Sequence, residues 1–309
     1  MLTWASVLRV FAPVYFFRPQ QVFTRFWREL TWKSATMTVR LPWGLSITID
    51  PNEAIGYNIA TRGLYETVVT EALWRLASKD EVAVDAGANI GYTASVLGAK
   101  IGSGGRILCF EPHPQVFSSL RSNVAAWESS GRCAKFELHQ KALGSQDGKA
   151  VLHTGEWFAT NKGTAWIGSG EKVNGHAELP IEIIRLDTIA KDLRKIGVLK
   201  IDVEGAELDV LRGMSRLLAE HSVRDIIFEE TGAFPASTHQ YLKTMGYSIF
   251  GLEESFWGVR LLADAPPWRD PQTGPIPNYL ATCDPDRALR LLKPPFWHSF
   301  GWLKFLANI

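Results

Sequence analysis

Three short stretches place carboxylates beside glycines: Asp85-Ala86-Gly87-Ala88-Asn89-Ile90-Gly91-Tyr92-Thr93, Cys109-Phe110-Glu111-Pro112-His113-Pro114 and Leu199-Lys200-Ile201-Asp202-Val203-Glu204-Gly205-Ala206-Glu207. In the first, glycines let the backbone approach a ligand, and a following helix offers it unpaired N–H groups. Asn89 stands where the dinucleotide G-x-G-x-x-G has its second glycine, and no Gly-Lys-Ser/Thr follows to make a P-loop. An acid two residues before the first glycine would repel a pyrophosphate and favour a cationic ligand. In the second stretch Glu111 closes an apolar run 20 residues after Gly91. From there a carboxylate can accept hydrogen bonds from both hydroxyls of a ribose. In the third, the favourable placing of acids in a first helical turn accounts for Glu207 but not for Asp202.

The elements that must hold these stretches read as an alternation. Val82–Asp85, Arg106–Phe110, Lys135–Leu143, Val198–Asp202 and Val223–Glu229 are expected strands. Tyr92–Lys100, Pro114–Trp127 and Ala206–Leu218 are expected helices, and a further helix ends at Gly246. Tyr247–Leu252 and Gly258–Ala263 read as an antiparallel pair. Apolar strands alternating with helices predict a parallel α/β sheet covered on both faces, with ligands beyond the carboxyl ends of the strands. Upstream, Gln20–Trp32 and Thr67–Ala77 have helical spacing, and Thr36–Ile49 alternates around Pro42-Trp43-Gly44 as a hairpin. The stretch His153–His176 interrupts the alternation with Trp157, Phe158, Asn161, Lys162, Gly163, Thr164 and Trp166, and such insertions often carry substrate contacts.

The chain has 309 residues, 46% hydrophobic and 21% charged, which excludes a largely disordered chain and a polytopic membrane protein. Its net charge of +1 divides unevenly: +5 before Gly44 and +4 from Arg287 onward leave −8 between them. Both ends are rich in Phe and Trp. Val10–Phe17, bounded by Arg9 and Arg18, is too short to span a membrane. Cys109, Cys133 and Cys283 form no C-x-x-C pair, which fits a reducing cytoplasm. No acid or histidine set has metal-ligand spacing. The acidic middle lacks a basic groove for nucleic acid.

Val84-Asp85-Ala86-Gly87-Ala88-Asn89-Ile90-Gly91, Phe110-Glu111-Pro112-His113-Pro114 and Lys200-Ile201-Asp202-Val203-Glu204-Gly205-Ala206-Glu207, in that order, resemble the FkbM-type S-adenosylmethionine-dependent methyltransferases. The resemblance runs from about Gly63, where Gly63-Leu64-Tyr65-Glu66 is similar to the start of the family's pattern, to Leu280. It implies a Rossmann-like class I methyltransferase fold. That fold has a seven-stranded, mostly parallel sheet with helices on both faces, and its last two strands form the antiparallel pair. It implies that Asp85, Gly87, Asn89 and Gly91 line the methionine portion of S-adenosyl-L-methionine, with Thr93 behind them. Glu66 would lie near the amino-acid end and Glu111 on the ribose. Ala142, with Asp147, would border the adenine, and Asp202 would face the methyl group. The reaction implied is methylation of a hydroxyl on a sugar, glycolipid, lipid or secondary metabolite. A base is then needed; Asp202 and Glu204 lead, followed by His113 and Glu230. Glu229 and Glu230 end one strand, so one of them faces the acceptor.

Two other classes compete. An NAD-dependent oxidoreductase would show G-x-G-x-x-G and a Tyr/Lys or His pair. A non-catalytic, membrane-associated scaffold would let its cofactor residues decay. The expected organisation is a basic aromatic extension with a hairpin over residues 1–50, a methyltransferase domain over 51–284, and a second basic aromatic extension over 285–309. The expected partner is a small-molecule or lipid-linked acceptor. Basic residues beside Trp and Phe suit a peripheral membrane contact; the alternative is that both ends pack on each other and on the domain as an added helical layer.

Overall fold

An eight-stranded sheet runs through the centre of the protein. The computed structural model describes residues 36–129, 131–154, 165–167, 177–193, 195–267 and 277–300, with Phe16 and Gln21. The expected helix Gln20–Trp32 lies outside the described residues, as do Trp157, Phe158, Asn161, Lys162, Gly163, Thr164, the Trp166 side chain and residues 301–309. Five strands are parallel: β3 (Val82–Ala86), β4 (Arg106–Phe110), β5 (Lys135–His139), β10 (Ile196–Ile201) and β11 (Val223–Glu229). Three more continue antiparallel from β11, namely β14 (Asn278–Thr282), β12 (Ser248–Ser255) and β13 (Gly258–Ala263). The spatial order is β13-β12-β14-β11-β10-β3-β4-β5. The centre is parallel because every residue of β10 is buried, so both its faces need cover.

One face is covered by a hairpin, β1 (Met37–Arg40) and β2 (Ser46–Ile49), and by the helices α1 (Ala54–Arg62), α2 (Thr67–Leu76), α3 (Tyr92–Ile101) and α4 (Pro114–Glu128). The helix α9 (Pro285–Leu292) joins this layer through Ala288 and Leu292. The other face is covered by α5 (Leu186–Ile189), α6 (Glu207–Arg212), α7 (Ser215–Ala219) and α8 (Ser237–Thr244). Between β5 and β10 a second sheet forms from β6 (Ala142–Leu143), β7 (Gly148–Thr154), β8 (Ala165–Ile167) and β9 (Ala177–Ile184), in the order β6-β9-β7-β8.

Three details differ from expectation. The main sheet has eight strands rather than seven. The expected pair is present as β12 and β13, but β14 lies between it and the parallel strands, pairing Ile226 with Ala281 and Phe250 with Leu280. Five residues gave no periodicity to mark β14; its position comes from the unpaired edges of β11 and β12. The expected helix Ala206–Leu218 is broken into α6 and α7, because Asp187 accepts the Arg216 and Leu217 N–H groups at 3.0 and 3.2 Å and so starts a new helix there. Strand Lys135–Leu143 is likewise split, its last two residues passing to the smaller sheet.

At the amino ends of the strands buried charges are paired. Asp225, fully buried, accepts from Thr282 Oγ1 (2.7 Å), Arg224 Nε (2.8 Å) and Arg287 Nη1 (3.0 Å). Arg224 reaches on to Glu81 and Arg287 to the Leu76 carbonyl. Nearby, Arg75 pairs with Glu71 and donates to the carbonyls of Leu291, Pro294 and Phe296. Glu71 accepts the His298 and Ser299 N–H groups, both at 2.8 Å, which fastens the segment after α9 to the domain.

Candidate active site

The parallel strands β3, β4, β10 and β11 point their carboxyl ends into a cavity of about 720 Å³. After β3 the chain turns through Gly87 (φ +80°), Asn89 (φ +49°) and Gly91 (φ +96°). The Phe110 carbonyl pins the turn by accepting the Gly87 and Ala88 N–H groups at 3.0 and 2.9 Å. Gly87 is required here, since a Cβ would lie 1.8 Å from the Asp202 carbonyl oxygen. Gly87, Asn89 and Thr93 line the cavity. Gly91 does not: a Cβ there would meet Leu120 and Trp127 at 2.8 Å, so it admits α4 rather than a ligand, which corrects its expected role.

Asp85 is fully buried behind Thr93, off the wall itself. Its Oδ2 accepts Thr93 Oγ1 at 2.5 Å, while Oδ1 is buried without a partner. Burial raises its pKa to about 6, against the Thr93 hydrogen bond and the Lys200 charge. Glu111, beyond β4, lines the cavity. Its Oε2 accepts the Asn89 N–H at 3.0 Å and its Oε1 the His113 N–H at 2.9 Å. Burial raises it to about 7 in spite of these bonds. An ionised carboxylate has about four acceptor sites, so capacity remains for two hydroxyls.

Glu66, at the junction of α1 and α2, adopts a left-handed backbone (φ +41°) and reaches the cavity, with Oε2 buried and unpartnered. The junction is held by Tyr92, whose hydroxyl accepts the Tyr65 N–H at 3.0 Å. Burial raises the Glu66 carboxyl well above its ordinary range. From β10, Lys200 is buried with its Nζ 3.3 Å from Asp202 Oδ2. It lies in register with Asp85 on the neighbouring strand. Burial opposes its charge, but Asp202, Glu66, Glu229 and Asp85 more than offset this and hold it protonated.

Asp202 and Glu204 both line the cavity, Glu204 at its solvent-open side with φ +53°. Partial burial, then the charges of Asp202 and Glu207, raise Glu204 to about 7. Glu207 organises the loop instead, accepting the Val203 and Gly205 N–H groups at 3.3 and 3.1 Å. Of the two acids ending β11, Glu229 faces the cavity. Burial, then Asp202 and Glu66, raise it to about 9. Glu230 lies off the wall and accepts the Gly232 N–H at 2.8 Å. His113 is buried at the start of α4, also off the wall. Neither Glu230 nor His113 is therefore placed to act on a ligand in the cavity. Ala142 lines the cavity as expected. Asp147 does not; it accepts the Arg185 N–H and the Thr188 hydroxyl at 2.6 and 3.0 Å, pinning the junction of β9 and α5.

Sequence reasoning missed Asn58, Arg62 and Tyr65 on the wall, and it gave Lys200 no role although it stands inside the third motif. It also missed Asn278, which is 7% exposed, lines the cavity and buries an unpartnered Oδ1. The one available signal was that the family resemblance runs on to Leu280, across this segment.

The sheet order, the glycine turn after its central strand and the acid after the next strand define a class I methyltransferase fold with a cofactor cleft. The methyltransferase FkbM domain matches residues 85–249, just over half of the chain. The chain belongs to that family. "Methyltransferase 1" of Beauveria bassiana is 30% identical over 154 residues, covering 44% of this chain and 59% of its own length. The hexuronic acid methyltransferase AglP of Haloferax volcanii is 31% identical over 167 residues, covering 53% of this chain and 62% of its own. The match thus spans less than two thirds of either relative. A crystal structure of methyltransferase FkbM from Methylobacillus flagellatus aligns with a TM-score of 0.40 at 17% identity, over 66% of this chain and 43% of that one.

The cofactor of the family is S-adenosyl-L-methionine, and the site fits it. The unpartnered Oε2 of Glu66 on the wall suits a cationic group of the cofactor, and the spare capacity of Glu111 suits a ribose. Among the described residues no group of three or more His, Cys, Asp or Glu could hold a metal ion.

Proposed function

We propose that the protein transfers a methyl group from S-adenosyl-L-methionine to a hydroxyl on a sugar, lipid or secondary metabolite. The observation that carries this is the Glu66 carboxylate on the cavity wall, whose Oε2 is buried without a partner at the carboxyl end of the sheet. Buried charge is costly unless a ligand completes it, and a ligand that brings an ammonium and a sulfonium group does so. Glu66 and Asp85, the latter through Thr93, hold the amino-acid end; Gly87 and Asn89 form the turn against it; Glu111 holds the ribose; Ala142 borders the base. When bound, the cofactor supplies a methyl group on a sulfonium, already reactive toward a nucleophile. The protein's part is to orient the acceptor and exclude water, with Asp202, fixed by Lys200, at the reacting end. The relative that methylates hexuronic acid supports a sugar acceptor.

A thermal-shift assay tests the reading. S-adenosylhomocysteine should raise the melting temperature and NAD should not; a response to neither, or to NAD alone, would remove it.

We also propose peripheral contact with a membrane. No helix among the described residues is long and apolar enough to cross one. Phe256 and Trp257, at the tip of the β12–β13 hairpin, are 38% and 55% exposed beside Phe16 and Phe296, at 64% and 42%. Such a cluster, to which Phe16 and Phe296 come from the two basic ends of the sequence, supports docking on an anionic surface. Replacing Phe256 and Trp257 by Ser should halve co-sedimentation with phosphatidylserine vesicles, and unchanged binding would count against the contact.

A further inference from the structure

The far side of the cavity from Glu111 carries a second constellation. Glu229, the last residue of β11, and Asn278, the first of β14, are directly paired across the antiparallel ladder. Registered neighbours in such a ladder project from the same face, with Cα atoms roughly 4.5–5.5 Å apart. Both line the cavity. Asn278 is 7% exposed and its Oδ1 has no partner, although a buried amide oxygen left unpaired costs about 1–3 kcal/mol. Such a group is retained where a ligand completes it. Neither residue has a part in the cofactor arrangement described above, and the other four candidate bases are engaged, displaced or exposed. Asp202 Oδ2 is held by Lys200, His113 and Glu230 are off the wall, and Glu204 lies at the solvent-open side of the cavity.

We infer that Glu229 and Asn278 form the acceptor subsite, and that it takes a vicinal diol: Glu229 receives the reacting hydroxyl, and Asn278 Oδ1 accepts a hydrogen bond from the adjacent one. This rests on the methyltransferase reading. Two acceptor groups side by side match two neighbouring hydroxyls, which are donors. As the acceptor oxygen gains the methyl carbon, the carbon–sulfur electron pair stays on sulfur and the hydroxyl proton passes to a Glu229 carboxylate oxygen. The groups facing Glu229 are Tyr65 and Glu66 from the junction of α1 and α2, and Lys200, Asp202 and Glu204 from β10 and its loop. Burial and the neighbouring acids give Glu229 the high proton affinity that a base for a hydroxyl needs, while Lys200 keeps its ionised form accessible.

Saturation-transfer NMR on the full chain loaded with S-adenosylhomocysteine tests the inference, with cis-1,2-cyclohexanediol, cyclohexanol and cyclohexylamine as probes. The diol should bind at least tenfold more tightly than cyclohexanol. Its affinity should rise with pH as Glu229 ionises. Asn278→Ala should abolish the preference, and Asn278→Ser should recover part of it. Glu229→Gln should remove the pH dependence. Binding of S-adenosylhomocysteine should stay within threefold in all three variants, which also shows that they fold. No preference for the diol, a stronger preference for the amine, or a diol preference and pH dependence that survive both substitutions would overturn the inference. So would loss of S-adenosylhomocysteine binding in the variants, since the residues would then belong to the cofactor. Failure of the unaltered chain to bind S-adenosylhomocysteine would instead remove the methyltransferase reading itself.

Discussion

The two ends of the central sheet bury the same kind of side chain under opposite terms. At the amino ends, Asp225 has three donors and Glu71 an arginine and two backbone N–H groups. At the carboxyl ends, Asp85, Glu66 and Asn278 each bury an oxygen with no partner. Three of the non-glycine residues with left-handed backbone, Glu66, Asn89 and Glu204, also lie on that cavity. Paired charges fasten secondary structure together, whereas unpaired ones and strained turns hold a shape that a ligand completes. Proximity to the sheet is common to both ends; only the supply of donors differs.

Breaking one amino-end contact should cost most. Asp225→Ala leaves Arg224 and Arg287 with a lost partner in a buried network, and urea unfolding should show a loss of about 3–5 kcal/mol; a loss under about 1 kcal/mol would erase the contrast between the ends. Next in size is Glu111→Gln. Removing the charge proposed to receive the ribose should weaken S-adenosylhomocysteine binding by about 2–3 kcal/mol in calorimetry, with the melting temperature of the free protein unchanged or higher.

The pH dependence follows from the raised carboxyls. Asp85 near 6 and Glu111 near 7 bind protons more tightly in the fold than in the unfolded chain. Their contribution to stability is therefore full below about pH 4 and is lost as pH rises through 6 to 7. The melting temperature of the free protein should fall over that window relative to an Asp85→Asn, Glu111→Gln variant. S-adenosylhomocysteine carries an ammonium group, so its binding should release protons near pH 7. Calorimetry in buffers of different ionisation enthalpy reads that release, and proton uptake would contradict the assignment. The smallest effect is Tyr92→Phe. It removes the hydroxyl that accepts from Tyr65 and meets Thr70 at 3.0 Å, and should cost about 1 kcal/mol.

Much of the cofactor half was legible in the sequence because each piece is local. Buried strands end in acids beside glycine turns or in short apolar runs closed by an acid, and Asp85, Gly87, Asn89, Glu111, Asp202 and Glu204 were named from those stretches. Gly91 was read as a ligand contact because spacing cannot tell a glycine that faces a cavity from one that admits a helix. The acceptor half was not legible. Asn278 becomes a neighbour of Glu229 only through a strand pairing that joins positions 49 residues apart, and β14 is too short to announce itself by periodicity. The break between α6 and α7 was hidden for the same reason, since Asp187 acts on it from almost thirty residues upstream.

The place of β14 also gives the protein a history in time. During synthesis β11 emerges with its outer edge open, and the strand that closes it follows 49 residues later. At about 5–20 residues per second, that edge waits roughly 2–10 seconds in the growing chain. The turns that cradle the cofactor are all made before this delay, and the partner of Glu229 arrives after it. A nascent chain thus completes the turns around the cleft first, and the Glu229–Asn278 pair only when β14 slides into the gap.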